Sequence, residues 1–409
     1  MKIGSQTSNF HKYGIIMVFQ GVPDRKFAVT VQKSLKNTPV TAILGPRQCG
    51  KTTLVRMLTE NSGEFIMLDL ERPADRNLLH DVERFFDLQS DKTICLDEIQ
   101  NAPELFPVLR YVVDKKRQNG RFIILGSASP NLLRQSSESL AGRIKYIEMT
   151  PFQIDEVENF SNSLNNLWVR GGFPRSFLSD SDENSFDWRE NFVKTFLERD
   201  IAQLGFNVAA NQMRRIWTMF AHYNAGILNR SKLGESLGVS HHTINHYLDI
   251  LADTFMLRVL PPLEANLKKR LVKSPKILFR DNGILHYLLN IKNFDELFSH
   301  PDYGSSFESF AIEQILSGAG LHKKFNAHFY RSHQGEEIDL VLDNQKELIA
   351  IEIKSSSAPQ IPRGFYTALD NLKIKRAFVV APVDRAYPAG ENVFVCGIGE
   401  CVNGLLEVL

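Results

Sequence analysis

The sequence contains few cysteines and no overall charge bias, and both features narrow the classes of protein it can encode. Four cysteines occur among 409 residues, and no two of them form a Cys-x-x-Cys pair. Their number and spacing argue against a zinc ribbon and a disulfide framework. A reducing cytoplasm is the simplest compartment. The formal net charge is +1, so any basic surface for nucleic acid must be local.

Long apolar segments, fixed-period repeats and low-complexity tracts are missing as well. The apolar run at residues 14–19 is too short for a signal-peptide core or a membrane span, so no membrane partner is expected. Hydrophobic residues make up 43% of the chain and charged residues 23%, as in globular proteins with buried cores. A chain of 409 residues predicts two or three domains.

A glycine-rich stretch, residues 45–53, carries the strongest chemical signal. Its sequence GPRQCGKTT fits the pattern G-x-x-x-x-G-K-[S/T]. An apolar run at 40–44 precedes it and a helical pattern at 52–58 follows, which is the context that a phosphate-binding loop requires. Its N–H groups would cradle a polyphosphate, Lys51 would reach the β- and γ-phosphates, and Thr52 would hold Mg²⁺. The predicted nucleotide-binding residues are Gly45, Pro46, Arg47, Gln48, Cys49, Gly50, Lys51, Thr52 and Thr53.

Two later apolar runs end in polar residues that can complete this site. The run TICLDE ends in Asp97 and Glu98. Asp97 would complete the Mg²⁺ shell, and Glu98 would polarise the attacking water. The run FIILGS ends in Ser127, a candidate contact to the γ-phosphate, although a helix cap by Ser127 or Ser129 explains the pattern equally well.

An arginine before the next apolar run is a candidate for transition-state stabilisation. Arg143 ends the stretch SLAGR, and the strand-like run 144–149 follows it. From that position its guanidinium could face the nucleotide of a neighbouring subunit. A surface salt bridge explains the same residue, so both interpretations stay open.

Together these motifs resemble the AAA+ ATPases, and above all a prokaryotic family that joins an N-terminal AAA ATPase to a C-terminal region of unassigned function. The matching segments are GPRQCGKTT, LDEIQ (96–100), ILGSAS (124–129), ESLAGR (138–143), GGFP (171–174), FLERDI (196–201), KRLVKSPK (269–276) and FESFAIEQIL (307–316). The resemblance implies ATP and Mg²⁺ as cofactors, ATP hydrolysis, and a homo-oligomer in which Arg143 acts as an arginine finger in trans. Its catalytic residues would be Lys51, Asp97, Glu98, Ser127 and Arg143. Cys49 is a small variation whose side chain need not touch phosphate.

The stretch after the predicted core is mainly helical by pattern and resembles the lid of AAA+ proteins. An apolar stripe marks one helix near its end, formed by Val193, Phe196, Leu197 and Ile201. The trio Glu198, Arg199 and Asp200 lies on the same helix. These charges could sense the nucleotide state, but a solvated helix face is the favoured interpretation.

Residues 227–251 have the pattern of two helices joined by a tight turn at Gly238. Ser240 can cap the second helix, and the arrangement predicts a helix-turn-helix module. The exposed face lacks the arginines expected of base or phosphate readout. That face would carry His241, His242, Asn245, His246 and Asp249. The module could bind DNA or serve as a structural or dimerising unit.

A basic run follows at residues 267–276, LKKRLVKSPK, with five Lys or Arg residues. Beside a predicted wing, these side chains could contact the phosphates of nucleic acid. Contacts with nucleotide or with acidic residues of the chain itself explain the run equally well.

The last quarter predicts a carboxylate cluster. We expect a helix at 307–316 and strands at 328–331, 337–342 and 347–354. Asp339 on one strand would face Glu352 and Lys354 on its antiparallel neighbour, because residues two apart share a face, and the helix would supply Glu308. Such a set could hold a second Mg²⁺ and orient water for phosphodiester attack. It resembles the PD-(D/E)xK nucleases, whose degenerate members act as binding modules; a simple ion pair of Glu352 with Lys354 is the alternative.

The predicted fold is therefore α/β, with four parts. These are an AAA+ P-loop ATPase core (1–150), a helical lid (151–210), a winged helix-turn-helix module (211–290) and a restriction-endonuclease-like domain (300–409). ATP hydrolysis is expected to drive an oligomeric switch in the cytoplasm, with nucleic acid, DNA in preference, as partner. Two alternatives stay open: an ATP-gated regulatory module with an inactive nuclease-like domain, and a Mg²⁺-dependent DNA nuclease in defence.

Overall fold

The structure of the protein is a computed structural model. It describes residues 25–59, 65–128, 140–206, 208–264 and 273–408. Four segments named above lie outside these ranges. They are the apolar run 14–19, Ser129, residues 138–139 of ESLAGR, and residues 267–272 of the basic run.

The N-terminal part is a parallel sheet flanked by helices. Its strands are β1 (Val40–Leu44), β2 (Phe65–Asp69), β3 (Thr93–Asp97), β4 (Phe122–Gly126) and β5 (Ile144–Glu148). Its helices are α1 (Phe27–Asn37), α2 (Lys51–Thr59), α3 (Pro73–Leu78), α4 (Val82–Leu88) and α5 (Leu105–Lys115). The strand order is β2-β3-β4-β1-β5, with all pairs parallel. Every residue of β1 and β4 is buried, as central strands covered on both faces must be.

A largely helical segment follows. Its helices are α6 (Ile154–Val157), α7 (Ser163–Arg170), α8 (Pro174–Phe177), α9 (Asp182–Thr195), α10 (Ile201–Gln203) and α11 (Ala210–Ala221). Residues Phe196–Asp200, between α9 and α10, form a π-helical turn. The predicted apolar stripe of this region is buried, with Val193 and Ile201 at most 1% exposed. Between α7 and α8, Gly171 has a φ of +79°, and a Cβ there would lie 2.2 Å from the carboxylate of Asp281.

Two helices joined by a tight turn come next. They are α12 (Arg230–Leu237) and α13 (His241–Asp253), with Gly238 in the left-handed conformation between them. The hydroxyl of Ser240 accepts a hydrogen bond from the N–H of Thr243 at 3.1 Å, so the predicted cap is confirmed. Strands β6 (Leu257–Leu260) and β7 (Lys276–Phe279) then pair as an antiparallel ribbon.

The C-terminal part is a six-stranded mixed sheet with helices. Its helices are α14 (Asn282–Leu288), α15 (Phe294–Phe298), α16 (Tyr303–Ser317), α17 (Arg363–Leu372) and α18 (Ile398–Leu406). Its strands are β8 (Asn326–Arg331), β9 (Glu337–Asp343), β10 (Leu348–Ile353), β11 (Ala377–Val380), β12 (Tyr387–Gly390) and β13 (Val393–Cys396). The order is β12-β13-β11-β10-β9-β8. As predicted, β9 pairs antiparallel with β10.

One buried apolar cluster runs through all of these parts. It includes Ile43 under the glycine-rich loop, Trp217 in α11 and Ile351 in β10. The parts therefore pack against one another. No helix in the described ranges is long and apolar enough to cross a membrane. All four cysteines carry free, buried thiols.

Candidate functional site

The glycine-rich loop is shaped by close packing against the end of β5. A Cβ on Gly45 would lie 2.0 Å from the carbonyl oxygen of Met149, so only glycine fits there. Gly50 has a φ of +99°, which a residue with a Cβ rarely adopts. The side chain of Cys49 is fully buried, with Sγ 3.7 Å from the same carbonyl oxygen. The thiol of Cys49 therefore belongs to the buried core.

The ammonium of Lys51 binds the loop itself. Its Nζ donates hydrogen bonds to the carbonyl oxygens of Gly45 and Pro46, both at 2.9 Å. Lys51 is only 5% exposed, so its charge is held among loop carbonyls. A bound phosphate would compete with these carbonyls for the ammonium, because charged acceptors make the stronger hydrogen bonds.

The predicted Mg²⁺ ligands lie side by side. The hydroxyl of Thr52 donates to Asp97 Oδ2 at 2.8 Å, and Asp97 is 8% exposed. Burial raises the pKa of Asp97, opposed by its hydrogen bond with Thr52. Both residues line a cavity of about 680 Å³ beside the loop, together with Glu98. A hydroxyl and a carboxylate oxygen are suitable ligands for a hard cation.

Glu98 is held toward the end of β4. Its backbone has a φ of +54°, uncommon for a residue with a side chain. The hydroxyl of Ser127 donates to Glu98 Oε2 at 3.0 Å, and the amide of Gln100 donates to the same oxygen. The structure thus brings Glu98 and Ser127 together. The helix-cap alternative for Ser127 concerns residues 129–139, outside the described ranges.

Arg47 connects the loop to the π-helical turn, a contact that the sequence did not predict. Its guanidinium donates to Asp200 Oδ1 and to Glu71 Oε1, each at 2.7 Å. Asp200 is 5% exposed, whereas Glu198 and Arg199 are exposed. The solvated-face interpretation was therefore wrong for Asp200. The only signal in the sequence was the adjacency of three charges, which does not reveal a partner.

Arg143 forms a surface ion pair in this structure. Its Nε and Nη2 donate to the two carboxylate oxygens of Asp114, at 2.6 and 2.9 Å. Its carbonyl accepts a hydrogen bond from Val40, the first residue of β1. The glycine-rich loop follows the other end of that five-residue strand, roughly 16 Å away at the usual rise per residue. Arg143 thus lies at the opposite end of β1 from the glycine-rich loop.

The predicted carboxylates of the C-terminal part do converge. Lys354 Nζ donates to Glu352 Oε1 at 2.6 Å. Asp339 accepts a hydrogen bond from the backbone N–H of Ile353 at 2.9 Å. Glu352 and Asp339 are 4% and 7% exposed. Burial, reinforced by the charge of Asp339, raises the pKa of Glu352 to about 8. Burial and Asp339 raise the pKa of Glu308 to about 8 as well.

Lys276 lies inside this cluster. Its Nζ is 2.9 Å from Glu308 Oε1, 3.0 Å from Glu337 Oε1 and 3.4 Å from Asp339 Oδ1. Lys276 is 2% exposed. Burial lowers its pKa, but the three carboxylates outweigh this effect and raise it, so the ammonium stays charged.

This lysine corrects one prediction and decides between the alternatives left open for another. In the described ranges no group of three or more His, Cys, Asp or Glu residues is arranged to hold a metal ion. The second Mg²⁺ site predicted at Glu308, Asp339 and Glu352 is therefore not formed in this arrangement, because an ammonium binds the carboxylates. The last lysine of the basic run was predicted to reach phosphates or the chain's own acids, and it binds the acids. The signal available was the apolar run Ile277–Phe279 directly after it, which marks a buried strand.

A partly buried ion network joins the first sheet to the C-terminal helix α16. Arg280, which follows β7, donates to Glu148 Oε1 at 2.6 Å and to Glu313 Oε1 at 2.9 Å. Arg258 in β6 binds both oxygens of Glu313, at 2.7 and 3.0 Å. Burial raises the pKa of Glu148, but Arg280 and Arg258 more than offset this and bring it to about 2.

The exposed surface of α13 matches the prediction for the helix-turn-helix. His241, His242, His246 and Asp249 are exposed, and Asn245 is half-buried. Leu248 and Leu251 pack inside at no more than 2% exposure. This face carries histidines where a strong DNA-binding helix carries arginines.

Two curated proteins match most of the chain. Rv2008c of Mycobacterium tuberculosis and Mb2031c of Mycobacterium bovis, both described as uncharacterized, are each 40% identical over 369 residues. The match covers 90% of this chain and 82% of each mycobacterial protein. This chain belongs to their family.

Three domain-family models match successive parts of the chain. Residues 37–158 match a model described as an AAA domain. Residues 161–295 and 303–401 match two domains of unknown function, DUF8612 and DUF4143. The N-terminal part is thus a P-loop AAA-type ATPase domain, as the glycine-rich loop and the sheet order indicate.

Among solved structures, the chain is similar to the Walker-type ATPase PABY2304 of Pyrococcus abyssi, with 16% sequence identity and a TM-score of 0.48. The match covers 66% of this chain and 96% of that one. This likeness is too distant to support an argument about function.

Proposed function

We propose that this protein is an ATP-hydrolysing molecular switch that works as a homo-oligomer in the cytoplasm. The observation that carries the proposal is the pairing of Thr52 with Asp97 and of Glu98 with Ser127, directly beside the glycine-rich loop. Asp97, Glu98 and Ser127 stand at the carboxyl ends of the parallel strands β3 and β4, where ligands of such sheets bind, and Thr52 adjoins them at the start of α2. The free thiols of all four cysteines are consistent with a reducing compartment.

Each residue of the nucleotide site has a role that its position supports. Lys51 would exchange its loop carbonyls for the β- and γ-phosphates, and the loop N–H groups would bind the remaining phosphate oxygens. Thr52 and Asp97 would hold Mg²⁺, which neutralises phosphate charge when it is bound. Glu98 would orient the attacking water, and Ser127 would hold Glu98 until the γ-phosphate arrives. Arg143 would serve the nucleotide of a neighbouring subunit, since its own lies at the far end of β1.

We further propose that the switch acts on nucleic acid, with DNA favoured. Helices α12 and α13 followed by the ribbon β6–β7 have the order of a winged helix. The convergence of Glu308, Asp339, Glu352 and Lys354 in the succession α16-β8-β9-β10-α17-β11 supports the comparison of this domain with the PD-(D/E)xK nucleases. DNA binding through these parts should weaken steeply with salt, and a flat salt dependence would argue for a protein partner.

Two alternative functions of the C-terminal domain remain, and a specific contact favours each of them. The convergence of Asp339, Glu352 and Lys354 favours a Mg²⁺-dependent nuclease, with defence against foreign DNA as a role. The ammonium of Lys276 among the same carboxylates favours a catalytically inactive domain that binds protein or DNA under the control of ATP.

A cleavage assay separates these outcomes. Supercoiled and linear DNA would be incubated with Mg²⁺ or Mn²⁺, with and without ATP. Wild type would be compared with Lys51→Ala and with a double Asp339→Ala, Glu352→Ala variant. Cleavage that disappears in the double variant would identify a nuclease. ATP hydrolysis without cleavage would support the regulatory module, and a wild type that hydrolyses no ATP would contradict the switch.

A further inference from the structure

The carboxylate cluster of the C-terminal domain already has a cation, and the chain itself supplies it. Lys276 Nζ lies within 3.4 Å of one oxygen from each of Glu308, Glu337 and Asp339. Ion pairs with three carboxylates at one point resemble the oxygen shell that a hard divalent cation takes. Lys276 comes from β7, a strand outside the sheet that carries Glu337 and Asp339.

A second observation indicates that the two lysines do not satisfy every carboxylate oxygen of this cluster. Glu352 is 4% exposed, and its Oε1 binds Lys354. Its Oε2 is buried and has no hydrogen-bond partner among the described residues. A buried acceptor without a partner is costly, and such atoms in native proteins call for an explanation, such as a ligand that binds in another state.

The strand that carries Lys276 is held at both ends. At one end Lys276 binds Glu308 of helix α16, and past the other end Arg280 binds Glu313 of the same helix. Arg280 also binds Glu148, the last residue of β5 in the ATPase domain. A change at the edge of the ATPase sheet would therefore act directly on the strand that delivers Lys276.

We propose that Lys276 is a built-in blocking cation: it occupies the carboxylate cluster and must leave before Glu308, Asp339 and Glu352 can take a divalent cation. The inference rests on the nuclease-like arrangement of the proposed function, but it concerns cation binding and not cleavage.

Binding of Mn²⁺ in the absence of nucleotide tests this directly. All proteins would carry Asp97→Asn, so that the nucleotide site contributes no metal binding. In this background, Lys276→Met should bind one Mn²⁺ at the carboxylate cluster. Its dissociation constant should be at least about tenfold lower than that of the parent with Lys276 intact, because the ammonium that repels the cation is gone. Electron paramagnetic resonance of free Mn²⁺ and isothermal titration calorimetry would measure it. The melting temperature of Lys276→Met should also rise on addition of Mn²⁺, because a ligand that binds only the folded state stabilises it.

Matched variants make the result specific. Lys273→Met removes an exposed lysine three residues earlier and should leave Mn²⁺ binding unchanged. Adding Asp339→Asn to Lys276→Met should abolish the gained site. If Lys276→Met does not fold, the double variant Lys276→Met, Glu337→Gln removes one of the uncompensated carboxylates and takes its place.

The outcomes distinguish this inference from the proposed function. A folded Lys276→Met protein with no gain of Mn²⁺ binding would overturn the blocking role, whatever the ATPase activity. Tight Mn²⁺ binding at this cluster in the Asp97→Asn parent, with Lys276 intact, would overturn it too. A gained Mn²⁺ site would support the inference whether or not DNA is cleaved, because the inference concerns cation binding alone.

Discussion

Arg47 and Asp200 are 153 positions apart in the chain, and their side chains meet at 2.7 Å. The arginine belongs to the glycine-rich loop, and the aspartate ends a π-helical turn. Such turns are rare and occur often at functional sites. Because Asp200 is almost fully buried, this ion pair ties the loop to the segment after the ATPase sheet. A phosphate arriving at the loop would compete with Asp200 for Arg47.

Replacing Asp200 should change nucleotide affinity. Asp200→Asn removes a negative charge beside the loop and frees Arg47 for phosphate, so ATP should bind about threefold to tenfold more tightly, equivalent to roughly 1 kcal/mol. Titration with a fluorescent ATP analogue would measure the dissociation constant. Glu198→Gln, an exposed carboxylate in the same turn, serves as the control and should leave affinity unchanged. Weaker or equal binding in Asp200→Asn would show that the ion pair does not compete with nucleotide.

Substitutions at Lys51 and Glu98 should have different effects on ATP binding and on ATP hydrolysis. Lys51→Ala should lose ATP binding, because it removes the cation that binds the phosphates. Glu98→Gln should keep ATP binding and lose hydrolysis by about 10² to 10⁴-fold, the range for removal of a general base. Phosphate release and nucleotide titration would be measured on the same samples, with the exposed Glu104→Gln as control. Unchanged turnover in either variant would sink the assignment of these residues.

Two substitutions distinguish the proposed catalytic role of Arg143 from its ion pair with Asp114. Arg143→Ala removes both the ion pair and the proposed finger, whereas Asp114→Asn removes the ion pair and keeps the arginine. If Arg143 acts in trans, only Arg143→Ala should lower ATP hydrolysis, by about 10³-fold, and wild-type specific activity should rise with protein concentration. Equal effects of the two substitutions, or a strictly monomeric ATP-bound protein, would leave Arg143 as a surface residue.

His286 should make the fold sensitive to acid. Its Nδ1 lies 3.0 Å from the Val169 carbonyl and its Nε2 2.7 Å from the Ser306 hydroxyl, so both ring nitrogens are satisfied in the neutral form. Burial lowers its pKa to about 3. Because the unfolded imidazole titrates near 6.5, the unfolded state takes up the proton first. Stability is therefore fully present above pH 6.5 and falls as pH drops toward 3.

The measurement is the free energy of unfolding in urea at pH 7 and pH 5. Wild type should lose about 2 kcal/mol more than His286→Asn over this interval, because asparagine keeps a donor for Val169 and does not titrate. The exposed His241→Asn should retain the wild-type pH dependence. Parallel curves for wild type and His286→Asn would mean that this histidine does not set the acid sensitivity.

The ion network of Glu313 should be important for stability. Glu313 is 2% exposed and binds both Arg258 and Arg280. Glu313→Gln leaves two largely buried guanidinium groups with less counter-charge, and should lower the free energy of unfolding by about 3 kcal/mol. Urea denaturation measures this, with the exposed Glu235→Gln as control. A loss below about 0.5 kcal/mol, the usual range for surface substitutions, would contradict a structural role of the network.

Elements with a strong local pattern were predictable from the sequence. The strand at 40–44 and the glycine-rich loop were placed correctly, as were the turn at Gly238 and the antiparallel pairing that brings Asp339 next to Glu352. Strands β2, β6, β7, β12 and β13 were not predicted. The convergence of Glu308 with Asp339 was predictable because side chains alternate along a strand and because a helix that carries Glu308 precedes the strands. Both are properties of short stretches of chain.

What the sequence by itself determined is local: which backbone stretches are buried, where glycine permits a positive φ, and which chemical groups stand at strand ends. Only the tertiary structure decided the partners of the charged groups. Lys276 reads as one more lysine of a basic run, yet the fold buries it among carboxylates 32 to 63 positions away. Arg47 and Asp200 read as unrelated charges. The physical reason is that the effect of a charge depends on its neighbours in space and on its burial, and neither is set by adjacent residues.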